Sequence, residues 1–406
     1  MRREPRVLPA SRAESIAADA LFEAGVRVAG VRTVSIEPRL SAAVTAVAAT
    51  VDEETGAGAS RVVYVDESSD PAAVWVHPDD PHLPALAAAA FPHALAVLLA
   101  RMGLPAAVES VEIAAYRPTR RAVIRARVGA GTVYVKVVRP DRVASIARRH
   151  RDFAEAGLPV PAMHGWSPSG LLVLAPADGT PLEAVVAGVD PDAIVREVDR
   201  LRARIATVAG TPPPGRPSVA ARADWYASRL ARRVPALAGD LGRLADVARR
   251  AHARRGPEVT AHGDLHVGQL FVADDARTLT GLIDVDTAAT TDPGVDGGAF
   301  LAHAQASAVL ADHAGEAARA DAFRALAAAA EASWVTPADR TDREHAIAHL
   351  LAQAMQAACA RNDVEAATTL IAGARRLAPD GGIVGSGDHE GALTNPSPVP
   401  HPVTRA

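Results

Sequence analysis

The chain has 406 residues, of which 49% are hydrophobic, 22% are charged and only 3% are aromatic, and its net charge is -4. This length favours two or three subdomains, and the apolar content excludes general disorder. Because the balance is slightly acidic, the chain lacks the basic footprint of a nucleic-acid-binding protein, and no nucleic-acid partner is expected.

Two further features bear on where the protein works. The single cysteine, Cys359, excludes an intrachain disulfide and fits a reducing cytoplasm. The most apolar run, residues 83–99, is mostly alanine and is interrupted by Pro92 and His93. Such a run is too weak for a membrane span, so a soluble, cytoplasmic protein is expected.

The first part of the chain, residues 1–105, is predicted to form an N-terminal cap subdomain. Residues 61–65 and 73–76 have the β-branched and aromatic character of strands, and a helix is expected from about residue 83. No spacing typical of a catalytic site occurs here.

The second part, residues 106–176, is predicted to contain an antiparallel sheet. Strands are predicted over residues 111–116, 121–128 and 132–138, and their short connections favour a meander. A helix over residues 141–156 should end at Gly157, a residue favoured just past a helix C-terminus, and 171–174 should form another strand.

The third part, residues 177–379, is predicted to be mainly helical. One apolar stripe follows Pro191, and two further helical patterns cover 223–254, with a break at Pro235, and 343–360. The last residues, 380–406, are rich in Gly, Pro and Ser and are predicted to be disordered.

Two neighbouring segments in this helical part carry polar residues suited to catalysis. The first runs His262-Gly263-Asp264-Leu265-His266 and continues to Gln269, and the second runs Ile283-Asp284-Val285-Asp286. Each combines a polar loop with a short apolar strand, which predicts a hairpin that holds the two loops together.

This set fits phosphoryl transfer. That reaction needs a carboxylate for the attacking hydroxyl, oxygen ligands for Mg²⁺ and a cation for the phosphates. Asp264 can supply the first, Gln269 and Asp284 the second, and Lys136, inside the apolar strand 132–138, the third.

The motif resembles the signature of the aminoglycoside phosphotransferase family, which belongs to the protein-kinase-like superfamily. Gln269, where the family usually has asparagine, makes the motif closest to the maltokinase and glucosamine kinase branch, whose members also carry an N-terminal cap. The resemblance covers residues 111–303. It implies an α+β, two-lobed protein-kinase-like fold, with an antiparallel sheet in the N-lobe, a helical C-lobe and the additional cap.

The resemblance also implies a role for each residue of the motif. Asp264 would be the catalytic base, Gln269 and Asp284 would bind Mg²⁺, and Asp286 would assist on the metal side. Lys136 would hold the α- and β-phosphates of ATP. Asp296 would brace the catalytic loop without touching the substrate.

Two departures from the family pattern concern the nucleotide site. Kinase-like folds pair the strand lysine with a glutamate on the next helix, but that position falls near Ala147, and neither Asp152 nor Glu155 is assigned in its place. The chain also lacks a glycine-rich phosphate loop, so residues 117–120 would have to use backbone amides or an arginine.

The implied reaction transfers the γ-phosphate of ATP to a hydroxyl of a small molecule, which we expect to be a sugar, an amino sugar or an aminoglycoside. A cationic acceptor would favour nearby carboxylates. Candidates in the helical part are Asp292, Asp312, Asp339, Asp342 and Glu344.

Two other functions stay open. His262, Asp264 and His266, completed by Asp284 and Asp286, could form the site of a metal-dependent hydrolase. The glutamine and the absent helix glutamate also fit a nucleotide-binding pseudokinase. The remaining histidines are interpreted as ordinary core or surface residues, among them His150, His164, His303 and His349.

Overall fold

The computed structural model describes residues 11–39, 42–51, 59–104, 107–129, 131–211, 218–253, 256–335 and 341–378. These residues form the predicted α+β architecture, in which two antiparallel sheets precede a helical C-terminal part. The segment predicted to be disordered, 380–406, lies outside the described residues.

The first sheet has four strands and its own small core. Its elements are α1 (Arg12–Glu23), β1 (Val28–Pro38), β2 (Ala43–Val51), β3 (Ala59–Asp66) and β4 (Ala73–Val76), with the strands in sequential antiparallel order. Ala17 and Leu21 of α1 pack on Val47 and Val63 of the sheet. Because this cluster is closed on itself, the sheet forms a unit with a separate apolar core.

The second sheet has five strands in the order β5-β6-β7-β9-β8, each antiparallel to its neighbours. Short helices α2 (Leu86–Ala89) and α3 (Pro92–Arg101) come before it, and the N-lobe elements are β5 (Val108–Arg117), β6 (Arg121–Val128), β7 (Gly131–Val138), α4 (Pro140–Glu155), β8 (Met163–Ser167) and β9 (Leu171–Leu174). The predicted meander is confirmed.

The two faces of β7 have different environments. Val135 and Val137 pack on one face with Leu86 and Leu95 of the preceding helices. Since side chains alternate along a strand, Lys136 between them lies on the opposite face.

The C-terminal part buries the largest core, which is built mainly from helices, and its described residues also form five short strands. Its elements are β10 (Thr180–Pro181), α5 (Leu182–Val185), α6 (Pro191–Ala206), α7 (Ala223–Arg233), α8 (Ala238–Ala253), β11 (Val259–Ala261), β12 (Leu270–Val272), β13 (Leu279–Leu282), β14 (Ala289–Thr291), α9 (Val295–His313), α10 (Ala317–Trp334), α11 (Thr341–Ala360) and α12 (Val364–Leu377). The predicted break at Pro235 is confirmed, since α7 ends before it and α8 begins after it.

Three features of this part position the site. The predicted hairpin is confirmed as β12 paired with β13, and β11 pairs with β14. Helices α9 and α11 approach closely at Gly298, where an added Cβ would lie 2.5 Å from the Cβ of His345.

No helix in the described ranges combines the length and apolarity that a membrane crossing requires.

Candidate active site

The loop after β11 is fixed by a buried carboxylate. Asp296, in the first turn of α9, accepts hydrogen bonds from the backbone N–H groups of His262 and Gly263, both at 2.8 Å. Gly263 has a φ of 85°, and a Cβ there would lie 2.7 Å from the carbonyl oxygen of Thr287. The brace implied for Asp296 is therefore present, and the next residue, Asp264, is held in one place.

Asp264 presents an unbonded carboxylate. Its side chain is 44% exposed, and the nearest cationic or imidazole nitrogen is Nε2 of His303, at 3.8 Å from Oδ1. Among the described residues it accepts no hydrogen bond. Burial on its protein side raises the pKa of Asp264, and the imidazoles of His266 and His262 act against that increase. A carboxylate with a raised pKa is better suited to accept a proton.

Gln269 lies at the start of the hairpin and is buried. Its Oε1 accepts a hydrogen bond from the backbone N–H of His266 at 3.3 Å, and its backbone carbonyl accepts one from Ile283 at 3.0 Å. An amide oxygen has two acceptor lone pairs, so the local bond leaves one for another partner.

Asp284 and Asp286 hold two cations of the N-lobe sheet. Nζ of Lys136 lies 2.6 Å from Oδ1 of Asp284 and 2.7 Å from Oδ1 of Asp286. Nη1 of Arg121, from the start of β6, lies 2.9 and 2.8 Å from the two carboxylate oxygens of Asp284. The structure thus brings together three of the predicted site residues and adds an arginine.

Electrostatics inside this cluster favour the charged forms. Burial works against ionisation of Asp284, but Lys136 and Arg121 outweigh it and hold its pKa well below the usual range. Burial likewise opposes the charge on Lys136, whose side chain is 8% exposed, while Asp286 and Asp284 raise its pKa. Lys136 is also the only lysine in the chain. The one ammonium group that a lysine supplies to this protein is therefore buried and paired with two carboxylates.

The acidic partner of Lys136 comes from the hairpin and not from helix α4. Ala147 is buried, as expected of a helix face turned to the core. The charge of Lys136 acts on another residue of the same helix, the buried His150. Burial, followed by the charge of Lys136, lowers the pKa of His150 to about 4. Helix α4 therefore presents a neutral imidazole, and not a carboxylate, to the charge of Lys136.

The profile of the phosphotransferase enzyme family, APH, matches residues 114–334. The chain belongs to this family. The matched segment begins inside β5 and ends with α10, so it contains Lys136, Asp264 and both carboxylates of the hairpin. The protein is therefore a phosphotransferase.

Several solved structures are similar to this phosphotransferase. A glucosamine kinase in complex with glucosamine, ADP and inorganic phosphate is 19% identical, with 92% of this chain and 100% of that chain covered and a TM-score of 0.44. A thermostable mutant of the aminoglycoside phosphotransferase APH(4)-Ia, in a ternary complex with ADP and hygromycin B, is 15% identical, with coverages of 69% and 96% and a TM-score of 0.45. The macrolide 2'-phosphotransferase MphH from Brachybacterium faecium is 21% identical, with coverages of 69% and 96% and a TM-score of 0.39. No curated protein matches the chain in sequence.

In this phosphotransferase the turn between β5 and β6 is held from outside the N-lobe. The backbone N–H of Thr119 donates to Oδ2 of Asp80 at 2.7 Å. Arg39 of the first sheet region donates to the carbonyl oxygen of Pro118 at 2.9 Å and to Oγ1 of Thr119 at 3.0 Å. One amide expected to face a nucleotide is thus already bonded, and Arg121, just after the turn, is the residue that reaches the acidic pair.

The histidine set considered for a metal-dependent hydrolase is not assembled. Nε2 of His262 lies 3.0 Å from the carbonyl oxygen of Ile283, and Nδ1 of His266 accepts a hydrogen bond from the N–H of Gly268 at 3.1 Å. Both imidazoles are therefore bonded to backbone, and among the described residues they do not form a group with the spacing of a metal site.

The acidic residues considered for a cationic acceptor are largely paired. Asp292 lies 3.4 Å from His345, Asp342 lies 2.5 Å from Arg202, and Asp312 pairs with Arg324. Glu344 is buried in α11, and Asp339 lies outside the described residues. None of these contacts places a carboxylate beside Asp264.

Sequence reasoning overlooked three residues of the site. Arg121 could have been noticed as the first residue of a strand beside the one that carries Lys136. His303 and His349 lie on separate helices, and their ring centroids are 6.0 Å apart next to Asp264. No short spacing in the sequence signals that pair, because it depends on how α9 and α11 pack.

Proposed function

We propose that the protein transfers the γ-phosphate of ATP to a hydroxyl of a small molecule, in the class of sugars, amino sugars and aminoglycosides. The observation that carries the proposal is the cluster of Lys136, Arg121, Asp284 and Asp286. The charges of two of its members, Asp284 and Arg121, act on the open carboxylate of Asp264. Cations for phosphate, carboxylates for a metal and a proton acceptor are the parts that phosphoryl transfer requires.

The donor set fits Mg²⁺. Carboxylate oxygens of Asp284 and Asp286 are the hard ligands that Mg²⁺ prefers, and the second lone pair of the Gln269 amide oxygen supports its assignment as a third. When bound, the metal would neutralise charge on the phosphates. The two carboxylates now hold Lys136 and Arg121, so these cations are already positioned beside the place where phosphates would bind.

The residues of the chain would divide the work as follows. Lys136 binds the α- and β-phosphates, and Arg121 adds positive charge on the same side. Asp264 accepts or orients the proton of the acceptor hydroxyl, and its raised pKa favours that role. Asp296, through the N–H groups of His262 and Gly263, keeps Asp264 in line.

We extend the proposal to the organisation of the chain. Residues 1–105 form the cap, 106–176 the N-lobe and 177–379 the C-lobe with its catalytic loop, and the protein acts in the cytoplasm. The glutamine-type motif with Gln269 supports a sugar or amino sugar as acceptor over the other classes.

The test is ATP consumption with Mg²⁺ over monosaccharides, amino sugars, maltose-type disaccharides and aminoglycosides. Asp264→Asn should abolish acceptor-dependent consumption and leave nucleotide binding intact. Asp274→Asn is the matched control, because Asp274 is exposed on the β12–β13 connection of the same hairpin. Consumption that persists in Asp264→Asn would show that Asp264 is not the base, and consumption absent over the whole panel with ATP bound would favour the pseudokinase.

A further inference from the structure

Two histidines from different helices face the carboxylate of Asp264. His303 lies on α9 and His349 on α11, and one ligand atom from each of the three residues lies within 4.8 Å of the others. Within this set, Nε2 of His303 and Oδ1 of Asp264 are 3.8 Å apart. In the described part of the chain, this is the one group with the spacing of a metal site.

Helix packing fixes the positions of both imidazoles. The close approach of α9 and α11 at Gly298 comes little more than one helical turn before His303. His303 also stacks on His266, with ring centroids 4.5 Å apart and an interplanar angle of 12°. The rings are thus held by rigid elements, which is the arrangement that a preorganised metal site needs.

The carboxylate is the adjustable member of the set. In a tetrahedral zinc site with metal–ligand distances of about 2.0–2.2 Å, ligand atoms lie about 3.4 Å apart. Because the three ligand atoms lie within 4.8 Å of one another, their separations must close by up to about 1.4 Å. Asp264 is partly exposed and accepts no hydrogen bond among the described residues, so a rotation of its side chain can shorten its distances to the two imidazoles.

An outer partner for the histidine is also present. Nε2 of Gln353, on α11, lies 3.2 Å from Nε2 and 3.4 Å from Nδ1 of His303. Metal-bound imidazoles usually hydrogen-bond a second group through the nitrogen that the metal does not use. Gln353 can serve as that second group when its side-chain amide is turned so that the oxygen, and not the nitrogen, accepts from the imidazole N–H.

We propose that Asp264, His303 and His349 form a site for a divalent transition metal such as Zn²⁺, distinct from the Mg²⁺ position at Asp284 and Asp286. Two imidazoles and one carboxylate with an open fourth position suit zinc or cobalt, whereas Mg²⁺ prefers oxygen ligands. A metal bound here takes up the Asp264 carboxylate, so it inhibits phosphoryl transfer. This last consequence rests on the proposed function, but metal binding itself does not.

The binding test uses Co²⁺ and the full-length protein. Wild type should bind one equivalent with the visible absorption of tetrahedral cobalt, and Zn²⁺ should displace it. His303→Gln and His349→Gln should each lower the Co²⁺ affinity by at least about 100-fold, because loss of a metal ligand should cost at least as much as the roughly 10–100-fold that loss of an outer partner costs. His164→Gln, at an exposed position, is the matched control. Circular dichroism and thermal melts check that the variants fold.

Two results would overturn the proposal. One is the absence of the cobalt bands in wild type, and the other is unchanged Co²⁺ affinity in a folded His303→Gln or His349→Gln variant. In the activity arm, micromolar Zn²⁺ should inhibit transfer in excess Mg²⁺, and a chelator should restore it. Co²⁺ binding without Zn²⁺ inhibition of an active enzyme would exclude Asp264 as a ligand. If no kinase activity exists, the cobalt measurement still decides the metal site.

Discussion

Nζ of Lys136 lies 2.6 Å from Oδ1 of Asp284, a residue 148 positions further along the chain. The contact joins the N-lobe sheet to the end of the β12–β13 hairpin, and it is completed by Asp286 at 2.7 Å. The only side-chain amine of the protein is therefore held by two carboxylates at the proposed phosphate position, which allows unusually direct tests.

An acyl-phosphate derivative of ATP, which transfers its acyl group to a neighbouring lysine, should label Lys136. Because the chain has no other lysine, intact-mass spectrometry should show one added group, and peptide mapping should place it on β7. Excess ATP should block the labelling, and Lys136→Arg should abolish it. Labelling that ATP does not reduce would contradict a nucleotide site at Lys136.

Asp284→Asn should weaken Mg²⁺-dependent ATP binding by at least about 10-fold, because a charge-assisted contact contributes about 1.5–3 kcal/mol. The substitution is conformationally conservative: Asp284 has a φ of 65° and a ψ of 40°, a left-handed conformation that Asn tolerates well. Isothermal titration calorimetry with and without Mg²⁺ measures the effect.

Asp274→Asn again supplies the control, since it removes a carboxylate from the same hairpin connection. Unchanged Mg²⁺-dependent affinity in Asp284→Asn would remove Asp284 from the metal site.

Gly263→Ala should lower kcat by more than about 10-fold and destabilise the protein by about 1–3 kcal/mol. The new Cβ would lie 2.7 Å from a backbone oxygen at a φ of 85°, so the loop that carries Asp264 must shift. Steady-state kinetics and chemical denaturation measure the two effects.

Gly239→Ala is the matched substitution, because Gly239 lies in α8 with no atom within 4 Å of an added Cβ. It should be neutral, or stabilise the protein by up to about 1 kcal/mol. Equal kinetics for the two variants would show that the position of the loop does not limit transfer.

The buried His150 should make stability depend on pH. Its folded pKa is about 4, below the ordinary value of 6.5, so in that interval the unfolded state binds a proton that the folded state does not. The contribution to stability is complete above pH 6.5 and is lost as the pH falls towards 4, at up to about 1.4 kcal/mol per pH unit. His150→Gln should therefore give a shallower decline in denaturation experiments.

His164→Gln, at an exposed position of β8, serves as the comparison. An equal decline in wild type and His150→Gln would show that His150 is already protonated in the folded state at these pH values.

Strands were predictable where composition and flanking residues agree. Residues 121–128 and 171–174 are β-branched or leucine-rich runs bounded by turns, and the observed strands β6 and β9 have the same limits. Strand β2 was not predicted, because its sequence AVTAVAATV is rich in alanine, which favours helices. Its pairing with β1 and β3 overrides that preference.

The site was predictable where its residues lie close together in the sequence or match the family motif. Asp264, Asp284 and Asp286 lie in neighbouring segments joined by one hairpin, so their proximity follows from local structure, whereas Lys136 was predicted from its place in an apolar strand and from the family resemblance. His303 and His349 approach Asp264 because two long helices pack closely at Gly298, and the acidic partners of Lys136 come from the hairpin and not from the next helix. Such contacts depend on tertiary packing, which no local spacing encodes.

The hydrogen bonds that join Arg39 and Asp80 to the turn at Pro118 and Thr119 have a consequence for recombination. Both supporting residues precede the segment 114–334 that the family profile matches. A chimera that received only that segment would carry the turn without the groups that hold it. A segment exchanged between such phosphotransferases should therefore extend back at least to Arg39. Substitutions in the turn are expected to be compatible only with particular N-terminal sequences.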